Sequence, residues 1–110
     1  MISILLTPVQ RLNLRAIIRV QQPSTMAILE ALHDILEKIE FSKEELTQID
    51  KGDNTVDLTK LGELPNRQVE LEKAEVKLIK ELLQPSEKFK PTVSDLFWLK
   101  SLLTLLDKKE

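Results

Sequence analysis

Arg11, Arg15 and Arg19 stand at every fourth position and form the most regular pattern of charge in the chain. On a helix that spacing puts them along one ridge. A row of guanidiniums can grip phosphate or an acidic partner, or it can lay its aliphatic stems over a core and pair with carboxylates. The first twenty residues contain no acid, whereas the whole chain carries a net charge of −2, so the stripe faces an acidic remainder. His33 comes next, within one helical turn of both Glu30 and Glu37, a spacing usable by a carboxylate–histidine metal or proton-relay site. A lone histidine on a charged face is ordinarily solvated, and the same is expected here. Two acid pairs, Asp50 with Asp53 and Glu44 with Glu45, are close enough for acid–base work, but acids beside turns and caps are mostly structural.

The remaining apparatus of catalysis is missing from the sequence. Cysteine is absent, histidine occurs once and glycine twice, which leaves no thiolate site, no Cys/His cluster and no glycine-lined phosphate loop. The expectation is a protein that is not an enzyme and uses no cofactor and no metal. The opening Met1–Leu6 has no basic residue ahead of its apolar run and meets Pro8 too soon for a signal peptide or a membrane span, so a cytoplasmic protein without membrane attachment is expected.

Helices must position most of these groups. Thr7, Pro8 and Gln10 have the form of a capped helix start, and the helix is expected to run to about Val20. Its wheel has two apolar faces, Val9/Leu12/Ala16/Val20 and Leu14/Ile17/Ile18, with the arginines on a ridge between them. Pro23 with Ser24 or Thr25 starts a second helix, about Met26 to Ile39. Ser42 and Glu45 make a capping box for a short third helix ending near Ile49, with Phe41 and Leu46 at the positions of a hydrophobic staple. Thr55–Thr59 and Arg67–Leu71 alternate and are expected to pair as an antiparallel hairpin, with Val56, Leu58, Val69 and Leu71 inward. Ile2–Leu6 fits either a third strand or a helical extension. A fourth helix is expected from Glu72 to Leu83.

The last helix, with Thr92 and Asp95 as its capping pair, is the most apolar element. Leu96, Trp98, Leu99, Leu102, Leu103, Leu105 and Leu106 fill about half of its circumference, more than one neighbouring helix covers. Phe97 lies on the opposite, polar side. The expected fold is therefore mainly α with a small β-hairpin (α+β), about five helices around one core in a single domain over residues 1–110.

The order helix, helix, short helix, strand, strand matches that of a winged helix-turn-helix. The third helix nevertheless offers Glu44, Glu45 and Asp50 against Lys43, a poor match to phosphate. The segments Leu6–Leu12, Phe41–Leu46, Thr55–Leu58 and Gln68–Glu75 resemble a loose family of small uncharacterised phage and prophage proteins built from helices, a small hairpin and two final helices. That resemblance implies a phage-like origin and brings no functional residue with it.

The surplus of apolar helix surface points to a protein–protein interaction module. Its partner is expected to be another protein, itself as a homodimer, or both. If phage-like, it would bind and inhibit a host or defence protein. Phe97, Trp98 and Leu105, with Arg11, Arg15 and Arg19, are the candidate partner-binding residues. The alternative is a winged-helix-like nucleic-acid-binding regulator using Arg11, Arg15 and Arg19, although net charge makes nucleic acid the less expected partner.

Overall fold

The computed structural model describes residues 1–52, 55–85 and 89–109. In chain order the elements are β1 (Ile2–Leu6), α1 (Pro8–Arg19), α2 (Met26–Ile39), α3 (Lys43–Ile49), β2 (Asp50–Gly52), β3 (Thr55–Val56), α4 (Leu58–Glu63), β4 (Arg67–Leu71), α5 (Lys73–Leu82) and α6 (Leu96–Lys109), the last entered through a 3-10 turn at Val93–Asp95. The protein is mainly helical with a small antiparallel sheet, the α+β class expected from the sequence.

Local signals account for the helix starts. Gln10 N–H donates to Thr7 Oγ1 (3.2 Å) and Thr7 N–H donates back to Gln10 Oε1 (2.9 Å). Ser42 and Glu45 repeat the exchange at α3. Each box satisfies two donors that the first helical turn leaves without partners. At the entry to α6, Thr92 N–H and Trp98 Nε1–H both donate to Asp95, at 2.8 and 3.1 Å.

The strand pairing differs from the expected hairpin. β4 pairs with β1, Ile4 opposite Val69 and Ile2 opposite Leu71, and not with Thr55–Thr59. Asp57 is the cause. Its carboxylate accepts from Thr59 N–H and Lys60 N–H and caps α4, so the chain leaves the strand and Leu58 becomes exposed instead of inward. β3 pairs with β2, whose last residue, Gly52, adopts φ +93°, a left-handed conformation that glycine takes without steric cost. β1 is thus the strand that completes the sheet. Its alternation puts Ile4 and Leu6 on the buried face beside Val69 and Leu71, with Leu5 outward.

Two clusters make up the interior. The larger joins the inner face of the β1–β4 sheet to α1 (Leu14, Ile17, Ile18), α2 (Leu32, Ile35, Ile39), α5 (Val76, Ile79), Leu83 and α6 (Leu99, Leu102, Leu106). The smaller holds Phe41, Ile49, Leu61 and Leu64, with Leu12 of α1 and Val56 against it. α1 therefore packs on both sides, as its two-faced wheel implies, although Val9 and Val20 stay exposed. Lys38 with Glu75 (2.6 Å) ties α2 to α5, and Lys80 with Asp107 (2.7 Å) ties α5 to α6. Among the described residues no helix is long and apolar enough to cross a membrane.

Candidate functional site

The arginine ridge does not form an open stripe. Arg11 is 0 % exposed and lies where α1 meets the chain between α2 and α3. Its Nε–H donates to Ile39 O (3.1 Å), one Nη to Glu40 O (3.0 Å), and the two Nη groups grip Glu45 at 2.8 and 3.1 Å. The guanidinium also lies 4.4 Å from the Phe41 ring centroid. A fork of this kind matches the carboxylate plane, and the aromatic face adds a cation–π contact. The Arg11 hydrogen bonds hold the Glu45 carboxyl down at about 2, helped by the Ser42 N–H. As a partner-binding residue Arg11 is a correction: the side chain is enclosed between the two clusters, and no partner can reach it.

Arg15 and Arg19 share a single carboxylate. Arg15 Nε comes to 2.5 Å from Glu40 Oε1, a charge contact without hydrogen-bond geometry, and Arg19 Nη2 lies 3.6 Å from Glu40 Oε2. Arg67 donates to the Glu40 carbonyl at 2.8 Å. Glu40 thus draws together three arginines, two of which, Arg15 and Arg19, line a hollow of about 430 Å³ with Leu46, Ile49 and Val56.

Glu45 is committed to Arg11 and to the α3 cap, while Asp50 accepts from Gly52 N–H; Asp53 lies outside the described residues. His33 is exposed, with Nε2 3.7 Å from Glu37 Oε1. His33, Asp34 and Glu37 bring ligand atoms within 4.8 Å of one another, all on the open face of α2. Glu30, the other expected neighbour of His33, is exposed on the same face.

An apolar surface feature lies at α6. Phe97 is 87 % exposed, Leu96 57 % and Val93 91 %, and they stand beside the outward Leu5 of β1, which is 52 % exposed. Between α6 and the β1–α1 junction runs a groove of about 810 Å³ with these side chains on its rim and Ser101, Thr104 and Leu105 along its helical wall. Gln10 Nε2–H donates to Ser101 Oγ (3.2 Å) and joins the two walls. Lys100 and Lys108 line the groove, and no acidic side chain among the described residues does.

The three apolar candidates divide. Phe97 is at the surface and Leu105 is half-buried in the groove wall. Trp98 turns inward, its Nε1–H bonded to Asp95 and its ring tilted at 50° to Phe89, 6.4 Å between centroids. The sequence reading missed Leu5, Val93, Lys100 and Lys108. The outward position of Leu5 depends on β1 being a strand, which its mixed apolar pattern left open. Comparison with family models, curated proteins and solved structures finds no match to the chain.

Proposed function

We propose that the chain is a non-catalytic protein–protein interaction module of the cytoplasm, and that it docks through the groove between α6 and β1. The observation that carries this is the exposure of Phe97, Leu96, Val93 and Leu5 together on one groove. Isolated apolar residues on a surface need no explanation, whereas a contiguous set around a concave feature is the usual mark of a binding surface. Phe97 has the character of an anchor residue: a large, rigid side chain costs little conformational entropy when it is covered. A second copy of the chain and a host protein held in an inactive complex are the two partner classes such a surface would serve. The nucleic-acid alternative draws less support, because Arg11 is enclosed and Arg15 and Arg19 share Glu40.

The test is a photoreactive phenylalanine analogue at position 97, cross-linked in purified protein and in lysate of the native source, with Phe97→Asp as the competing control. Covalent adducts, to itself or to one partner, are expected, and Phe97→Asp should lose binding through its own groove while keeping the wild-type circular dichroism. No specific adduct in either setting would refute the docking role.

A further inference from the structure

A second apolar surface lies on α2, and its pattern is the complement of the groove. Met26 is 67 % exposed and Leu29 48 %, and they share the outer face of α2 with Glu30, His33 and Glu37. That face carries acids but no lysine or arginine: the one lysine of the helix, Lys38, is half-buried against Glu75. The groove on α6 carries lysines and, among the described residues, no acid. Each surface is apolar with one sign of charge, and the signs are opposite.

The spacings also agree. Phe97, Lys100, Ser101, Thr104 and Lys108 follow one another at i, i+3, i+4, i+7 and i+11 along α6, and Met26, Leu29, Glu30, His33 and Glu37 do the same along α2. Both sets hold to one helix face over roughly 16 Å at the helical rise. Laid side by side in the same direction, they put Phe97 on the Met26 thioether, Lys100 beside Leu29 and Glu30, and Lys108 opposite Glu37. Sulfur at an aromatic ring and two opposite-charge pairs are favourable contacts. Groove against groove would instead bring lysines together with no acid between them.

Resting on the docking role proposed above, we infer that the occupant of the groove is the outer face of α2 from a second copy, so that the chain associates head to tail. The two surfaces belong to different elements, so the contact is heterologous: each docking leaves one groove and one α2 face free, and the assembly grows or closes into a ring. One helix on one groove is small as interfaces go, below roughly 1,200 Å² in total, and the association is accordingly weak and reversible.

Sedimentation velocity over a concentration series at low salt tests this, with Phe97→Asp and Met26→Asp as blocking variants. The wild type should pass beyond the dimer as concentration rises and should retreat by several fold when salt screens the lysine–acid pairs. Each variant alone should be monomeric, and the two mixed should give a one-to-one complex, because each supplies the surface the other lacks. Lys108→Glu and Glu37→Lys should each weaken association and recover it on mixing. The positions are exposed, so loss of fold is not a competing explanation, and thermal melts check it. If Met26→Asp associates like the wild type while Phe97→Asp does not, the head-to-tail contact is overturned and the docking role of the groove stands. A wild type that stays monomeric to about 1 mM also overturns it, and the position-97 cross-link to another protein then decides the docking role separately.

Discussion

Removing the Glu45 carboxylate should cost more stability than any surface ion pair, because it leaves the enclosed Arg11 charge without its counter-charge. Arg11 is fully enclosed, and in Glu45→Ala its guanidinium keeps only the Ile39 and Glu40 carbonyls. Breaking a buried pair in this way costs about 3–5 kcal/mol. The Glu45 side chain is 19 % exposed, so water can enter on one side, which places the loss near the lower end, at about 3 kcal/mol. The lost cap at Ser42 adds up to about 1 kcal/mol. For a chain of this size that is a melting temperature lower by roughly 13–17 °C. The double variant Arg11→Met, Glu45→Gln removes the charge along with its partner and should recover most of the loss, since apolar replacement of buried pairs is often neutral.

The same contact sets an acid dependence. Glu45 is lowered from 4.5 to about 2, so the folded state binds its proton less readily than the unfolded chain. The stabilisation is complete above about pH 4.5 and is lost as pH falls through 4.5 towards 2. Screening on the open side reduces its size to about 1–2 kcal/mol. Thermal melts between pH 7 and pH 2 should show that component in the wild type and not in Glu45→Gln. A melting temperature within about 3 °C of wild type for Glu45→Ala, or a double variant as unstable as the single, would refute the claim that Arg11 depends on Glu45 for its place inside.

Two further outcomes follow from packing and capping. Leu102→Ala, at 0 % exposure in the larger cluster, should cost about 2–5 kcal/mol in denaturant unfolding, while Phe97→Ala on the same helix should stay within about 0.5 kcal/mol. Asp57→Ala removes the α4 cap and should cost about 1 kcal/mol, with faster amide exchange at Thr59 and Lys60 as the local sign.

Rules that act over three or four residues were readable from the sequence alone. Thr7 with Gln10, Ser42 with Glu45 and Thr92 with Asp95 were found as caps because both partners stand within one turn. The starts of α1 and α3 follow from them. What failed was non-local or ambiguous over a short span. Thr55–Thr59 alternates for only five residues, and the same letters make a strand or, with Asp57 as cap, the start of a helix. β4 then needed a partner, and Ile2–Leu6, more than sixty residues away, was the one with an alternating buried face. Glu45 was recognised for its cap but not for Arg11, thirty-four positions earlier. The signal for Arg11 was present in the two apolar faces of α1, since a ridge between two covered faces is itself covered unless the neighbours stand apart.

That covering bears on where surplus apolar surface ends up. Both faces of α1 looked available for a partner, yet Leu12 is taken by the small cluster under α3 and α4, and Leu14, Ile17 and Ile18 by the large one. The leucine arc of α6 is likewise divided, with Leu99, Leu102 and Leu106 inside. Phe97 has no such outlet: it stands on the polar half of α6, lining the groove with Lys100 and Ser101, and stays exposed. Met26 and Leu29 are likewise uncovered at the first turns of α2. Other apolar side chains are exposed as well, Val20 and Leu58 among them. Those of the groove and of α2 differ in standing at matching intervals on faces of opposite charge, which is the ground for the proposed contact between copies.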